Sequence, residues 1–269
     1  MGRVAGKVAL ITGAARGQGR SHAVRLAEEG ADIVAVDRCA DIETVPYPLA
    51  SENDLAETAE LIRKAGRQAI TRHADVRDRA ALRAAVTAGI EILGGIDILI
   101  ANAGIAPFLP ADQDPERIFR DVLDVNLIGT WNTIECAKDA LIERGGGSII
   151  VINSTAGLRT NGTMLPGGQA YIASKHALVG LVGGYAHQLA EHNVRVNGVH
   201  PTTVDTPMIN NAVSHQVLGD AALADPGHLL PVRNLEPIDV SNAVLWLSSE
   251  EARYVTGISL PVDAGFTAR

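Results

Sequence analysis

The chain has 269 residues and a formal net charge of −8; 46% of its residues are hydrophobic, 3% aromatic and 27 are glycine, so its core is built from Ala, Val, Ile and Leu, as in helices packed on a parallel sheet. The length suits one large α/β domain over 1–269, and an acidic balance without a Lys/Arg cluster excludes a nucleic-acid partner, whose phosphates need a basic face. Cys39 and Cys136 fit neither a metal-ligand spacing nor a disulfide framework, the first apolar stretch is too short for a signal, and no run of about 18 apolar residues exists, so no metal, no membrane and a cytoplasmic setting are expected.

The first predicted strand, 7–11, leads into helical spacing over 18–30, and a second strand follows at 32–36. Strands at 68–74, 96–101, 148–152, 194–199 and 258–262 alternate with helical stretches at 54–66, 78–93, 114–144, 169–192 and 237–249. Alternation of this kind specifies a doubly wound, seven-stranded parallel sheet with helices on both faces and ligands at the carboxyl ends of its strands. Two segments break the pattern, 38–53 with its two prolines and 201–236 with its Pro, Asn and His content. Both leave the carboxyl end of a strand and are long for connections in a compact domain, so ligand-covering roles are expected of them. Trp131 and Trp246 read as helix core, and His176 and His200 as packing or surface residues.

Between the first strand and first helix stands Thr12-Gly13-Ala-Ala-Arg-Gly17-Gln-Gly19. Gly13 allows a tight turn, Gly17 lets backbone approach a pyrophosphate, and Gly19 lets helix and strand pack closely, while the helix N-terminus faces the anion. Asp37 ends the second strand, 18 residues beyond Gly19, where a carboxylate accepts from adenosine ribose hydroxyls and repels a 2′-phosphate, favouring NAD over NADP. Arg16 and Arg38 argue the other way, since a guanidinium pairs with that phosphate; Asp37 is given precedence because it would share the ribose pocket. Gln18 within the turn, Asp75-Val76 closing the third strand and Asn102-Ala103-Gly104 closing the fourth complete the cofactor-binding set, with Asp75 expected near adenine.

Tyr171-Ile-Ala-Ser-Lys175 lies near a predicted helix start, so its i, i+4 spacing sets phenol and ammonium on one face. A cation roughly 4 Å away at an effective dielectric of about 20 contributes about 4 kcal/mol, enough to lower a tyrosine pKa by up to about three units before desolvation opposes it. The pair is therefore expected to titrate near working pH, as a general acid/base for an alcohol and its ketone must. Ser154 ends the fifth strand, where its hydroxyl can hold the substrate oxygen beside the phenol, and Asn126 is a candidate support for a water.

With these motifs in order, the chain resembles a short-chain dehydrogenase/reductase, a Rossmann-type family, over essentially its whole length. The resemblance implies Tyr171 as acid/base, Lys175 binding the nicotinamide ribose and lowering the tyrosine pKa, Ser154 orienting substrate and Asn126 supporting a proton-relay water. It further implies that Pro201, Val204 and Thr206 approach the nicotinamide and that the protein is a homotetramer. Two departures stand out. Ser154 and Tyr171 are 17 residues apart, with an apparent insertion at 160–168, and Pro201 is followed by Thr202 where the family has Gly.

Val45-Pro-Tyr-Pro-Leu49 followed by Asp54-Leu-Ala-Glu-Thr58 resembles the carveol-dehydrogenase-like subgroup of actinobacteria described as mycofactocin-dependent, whose members hold NAD too tightly for free exchange. A proline-stiffened segment leaving the ribose strand supplies a physical reason, and a mycofactocin-like redox carrier is then an expected partner. The apolar Met164-Leu165, Met208-Ile209 and Leu229-Leu230 pairs in the candidate lids suggest interconversion of a hydrophobic secondary alcohol, such as a terpenoid or steroid, and its ketone; the resemblance places carveol-like terpenoids ahead of hydroxysteroids. A non-catalytic NAD-sensing protein would carry a broken Ser-Tyr-Lys set, and a sugar-nucleotide epimerase would need more than the roughly 70 residues that follow Pro201.

Overall fold

The computed structural model describes residues 2–108, 114–160, 162–214 and 227–268. Strand β1 (Val8–Thr12) is buried at all five positions, as a strand covered on both faces must be. It pairs in parallel with β2 (Asp32–Asp37) on one side and β4 (Ile98–Ala101) on the other, so that Ala9 sits between Ile33 and Ile98. With β3 (Ala69–His73), β5 (Gly147–Ile152), β6 (Val194–Pro201) and β7 (Ser259–Val262), these form a seven-stranded parallel sheet in the order β3-β2-β1-β4-β5-β6-β7. The expected doubly wound α/β sheet is therefore present, and strand order reverses between β1 and β4, where a crevice opens at the carboxyl edge.

Side-chain alternation divides the core in two. Ala9, Ile11, Ile33 and Ala35 pack with α1 (Gly17–Glu28), α2 (Glu52–Lys64) and α7 (Pro237–Ser248). Leu10, Val34 and Val36 pack with α3 (Arg79–Leu93), α5 (Gly129–Glu143) and α6 (Pro166–Leu189) on the opposite face. Local signals set the helix ends. Ser51 and Asp54 close a capping box on α2, Asp78 accepts from Ala80 and Ala81 at the start of α3, and Gly94, at φ 87°, ends it.

The stretch expected as one helix over 114–144 is two, α4 (Pro115–Leu123) and α5, joined by a π-helical turn at Asp124–Ile128 that holds Asn126. Helix α6 begins at Pro166, earlier than the periodicity suggested, so part of the apparent insertion is helix. Trp246 packs against the core as expected. Trp131 does not: it is 36% exposed and lies under the Arg79 guanidinium, 4.9 Å from its carbon to the ring centre. Its amphipathic body explains this, since the cation covers one face of an indole left at the surface. No helix among the described residues is long and apolar enough to cross a membrane.

Helix α1 meets α7 through His22, fully buried, whose Nδ1 lies 2.8 Å from Ser241 Oγ. Burial pushes the His22 pKa down from 6.5 to about 3. The unfolded chain takes up this proton as pH falls through about 6.5 and the folded chain does not, so stability is lost between there and about 3. We expect the urea midpoint to fall on going from pH 7 to pH 4.5, and His22→Leu to flatten that dependence; an unchanged slope in the variant would exclude His22 as a source of acid sensitivity.

Candidate active site

At the sheet's crevice the glycine turn takes the backbone forms that its sequence implies. Gly13 and Gly17 have φ of 67° and 56°, in the left-handed region that glycine enters without a Cβ penalty. A Cβ on Gly19 would lie 2.0 Å from the Gly13 carbonyl oxygen, so helix α1 reaches its position only because residue 19 has no side chain. Asn102 fastens the turn to β4. Its Nδ2 donates to the Thr12 and Gly13 carbonyls at 2.9 and 3.1 Å, while Thr12 Oγ1 accepts from the backbone amides of Asn102 and Ala103. Asp37 braces the other side, its two oxygens accepting from Ala15 N at 3.0 Å and Cys39 N at 3.1 Å.

Every residue expected to bind cofactor, Pro201 and Val204 excepted, walls a single cleft, the concave kind of site in which small molecules bind. Pro201 instead ends β6 and is buried there, and Val204 is buried in the core beside its parallel bridge with Leu235. Thr206 does reach the wall, opposite Gly17. Asp75 lines the cleft with its carboxylate clamped by Arg77 at 2.7 Å and Arg38 at 3.4 Å. Burial raises its pKa, but the Arg77 hydrogen bonds and the two cations outweigh that and hold it below the usual range. Gln18 Oε1, Arg38 Nη1 and both amide atoms of Asn153 are buried on this wall without a partner among the described residues. Buried polar atoms are seldom left so, and these fit the phosphates, hydroxyls and amide of a dinucleotide.

The 38–53 segment forms part of the same wall through Ile42, Tyr47, Leu49 and Ala50. Among its fastenings, Ala106 N donates to Tyr47 Oη at 3.0 Å, Arg16 Nη2 donates to the Pro48 carbonyl at 2.5 Å, Thr44 Oγ1 donates to Asp121 Oδ2 at 2.7 Å, and Arg117 Nη2 donates to Glu43 Oε2 at 2.6 Å. Arg16 is thereby engaged with this segment.

Tyr171 and Lys175 wall the cleft, and Ser154 comes together with them beside the phenol. Ser154 Oγ accepts from Ala156 N at 3.1 Å, which leaves the hydroxyl proton free to donate. Its side chain lies beside the Tyr171 phenol, and Phe108 meets the Tyr171 ring edge-on at 5.0 Å. Lys175 Nζ donates to the Ile152 carbonyl at 2.9 Å and lies 5.4 Å from the centre of the tyrosine ring.

The expected lowering of the tyrosine pKa is not present. Burial raises the Tyr171 phenol above its ordinary value, with the Ser154 hydroxyl pulling the other way, and burial lowers Lys175 to about 7. Desolvation penalises both charged forms, and the ammonium spends its hydrogen bond on a backbone carbonyl rather than on the phenol. Asn126 lies behind the cleft wall, its side chain exchanging two hydrogen bonds with the backbone of Ile105 at 2.8 and 2.9 Å, and its carbonyl accepting from Thr130 Oγ1.

This geometry has known counterparts. A family model for short chain dehydrogenases matches residues 7–217. The chain belongs to that family. An uncharacterized oxidoreductase of Mycobacterium tuberculosis is 54% identical over 265 residues, 97% of this chain and 96% of its own. (−)-trans-Carveol dehydrogenase of Rhodococcus erythropolis is 46% identical over 283 residues, all of both chains. The crystal structure of carveol dehydrogenase from Mycobacterium avium in complex with NAD matches with a TM-score of 0.94 at 44% identity, again covering both chains fully.

Within this short-chain dehydrogenase the candidate lid residues separate. Met208 walls the cleft, whereas Met164, Leu229 and Leu230 are 91%, 54% and 60% exposed. Residues 215–226 of the 201–236 loop, and residue 161 of the 160–168 segment, lie outside the described residues. Thr202, where the family has Gly, places its hydroxyl 3.0 Å from His228 Nε2 and so ties the end of β6 to the returning part of the loop. Sequence reading passed over Ile105, Phe108 and Asn153. A signal existed for the first two, which follow Asn102-Ala103-Gly104 directly on the carboxyl edge; Asn153 was hidden by its neighbour Ser154. We expect Gly19→Ala to abolish nucleotide retention and to destabilise the fold by about 1–3 kcal/mol or more, because its Cβ meets backbone and not a flexible side chain; nucleotide content and Tm test this together.

Proposed function

We propose that this chain is an NAD-dependent oxidoreductase that interconverts a hydrophobic secondary alcohol and its ketone, with Tyr171 as general acid/base. The observation that carries this reading is that Tyr171, with Ser154 beside its phenol, and Lys175 wall the same cleft as the glycine turn and Asp37. Gly13, Gly17 and Gly19 would hold the pyrophosphate. Asp37 would take the adenosine ribose hydroxyls, because each of its oxygens keeps a lone pair beyond the backbone bond it accepts. That carboxylate repels a 2′-phosphate, and the Mycobacterium avium relative holds NAD.

When bound, NAD supplies the hydride acceptor for alcohol oxidation and, reduced, the donor for the reverse. The chain's own residues move the proton. In the ketone-reducing direction Ser154 Oγ donates a hydrogen bond to the carbonyl oxygen and the neutral Tyr171 phenol delivers a proton to it. Alcohol oxidation needs the same phenol deprotonated, and burial opposes this. Lys175 would reach the nicotinamide ribose from beside the phenol. Oxidation is therefore expected to rise with pH and reduction to fall, with a profile flat in both directions excluding Tyr171 from proton transfer.

Phe108, Ile105, Leu49 and Met208 around Tyr171 and the cleft favour an apolar, cyclic alcohol of the carveol kind. The fastenings of the 38–53 segment favour slow release of NAD. Retention of the cofactor requires a second carrier to take the electrons on, a role that a mycofactocin-like partner fits; a homotetramer in the cytoplasm completes the reading. Tyr171→Phe is expected to retain NAD and lose at least about 100-fold in turnover, measured on trans-carveol and on hydroxysteroids with an artificial electron acceptor. Unimpaired turnover would sink the assignment of Tyr171. Purified protein without nicotinamide absorbance that turns over rapidly on added NAD would remove the slow-release part alone.

A further inference from the structure

His200, one residue before the end of β6, is fully buried and takes no part in the steps above. Its Nδ1 lies 2.9 Å from the Ser154 carbonyl oxygen. A carbonyl only accepts, so Nδ1 carries the ring proton, and Nε2 is the bare nitrogen. Strand pairing makes this contact possible. Asn153 N donates to the Val199 carbonyl at 2.8 Å, bringing 153–154 alongside 199–200, and Gly198 leaves room for the imidazole, since a Cβ there would come within 3.0 Å of Nε2.

The same Ser154 carbonyl accepts a second bond from Gly157 N at 2.9 Å, and Ser154 Oγ accepts from Ala156 N. Three hydrogen bonds thus set the turn that aims the serine hydroxyl, and one of them comes from another strand. The chemistry narrows which residue can provide it. Lys175 lies near enough for its charge to act on His200, so a cationic donor would be repelled there. Burial and that charge hold the imidazole pKa down to about 4, leaving it a neutral donor at working pH. Among the described residues no group of three His, Cys, Asp or Glu side chains forms a metal site, so ligation does not explain the ring.

We propose that His200 is a positioning residue for the reaction: its Nδ1–H holds the Ser154 carbonyl and thereby keeps the Ser154 hydroxyl aimed at the substrate oxygen. This rests on the functional reading above, in which that hydroxyl orients the substrate. It differs from a packing role, because the donor at one ring position matters and the volume of the ring does not.

Two isosteres separate these roles. His200→Asn puts an amide nitrogen where Nδ1 stood, His200→Gln moves it towards the former Nε2 position, and His200→Leu has no donor. With (−)-trans-carveol and an artificial acceptor, His200→Leu and His200→Gln should lose roughly 10- to 100-fold in kcat, since small misplacements of reacting groups cost this much. KM should stay within about twofold, the signature of an interaction realised in the transition state, with bound nicotinamide unchanged. His200→Asn should recover most of the loss. In a Ser154→Ala background, His200→Leu should cost nothing further, because the group it positions is gone.

Wild-type kcat in His200→Leu, no recovery in His200→Asn, or losses that add in the double variant would each overturn the proposal. Nitrogen-15 NMR of the His200 ring, assigned by its absence in His200→Asn, checks the bond without turnover: a neutral Nδ1-protonated tautomer at pH 7 is expected, and an Nε2-protonated ring would refute it. Tyr171→Phe assayed alongside tells the two failures apart. If it is inactive while His200→Leu is normal, only the role of His200 falls; if it is active, the functional reading falls first.

Discussion

The close approach of β1 and β4 at their carboxyl ends is the constraint on which the rest of this structure depends. Strand order reverses there, and the backbone must be held open on one side and shut on the other. Asn102 does most of the fastening, with side-chain bonds to two carbonyls and a backbone bond to Thr12 Oγ1 that Ala103 N shares, each worth about 1 kcal/mol net. Gly19 permits it by leaving space above the Gly13 carbonyl. Helix α1 starts where the turn lets it, and the cleft, Asp37 and Arg16 take their places from that start.

Where Tyr171 and Lys175 wall the cleft, the governing term is desolvation. A lysine beside a tyrosine suggests mutual stabilisation of charge, but Lys175 is 6% exposed and hydrogen-bonded to Ile152, and burial acts on both groups before they act on each other. His200 obeys the same rule. Phenol, amine and imidazole therefore form a set of groups driven towards neutrality in the ligand-free chain, in which hydrogen-bond direction matters more than net charge.

The 38–53 segment, irregular until α2 begins at Glu52, shows how a stretch between strand and helix becomes part of a wall. It buries Ile42, Val45 and Tyr47 and satisfies polar groups through partners far along the chain, Ala106 and Asp121 among them. Leu49 N donates to Asp41 Oδ1 at 2.7 Å, closing the segment on itself. Two prolines limit the alternatives open to the unfolded chain, and the fastenings choose among those that remain.

Residue order alone determined the alternation of strands and helices, the glycine turn, the strand-end Asp37 and Ser154, and the Tyr171/Lys175 pairing on one helix face, because each is encoded within a few residues by periodicity or by the steric permissiveness of glycine. The family follows from the same motifs. Tertiary structure decided what depends on contacts distant in sequence: the break at Asp124–Ile128 that turns Asn126 towards Ile105, the exposure of Trp131 under Arg79, the burial of Pro201 and Val204, and the grip of His200 on Ser154. It also reversed the electrostatic expectation at Tyr171, since spacing along a helix fixes how near two groups lie but says nothing of how much water each has lost.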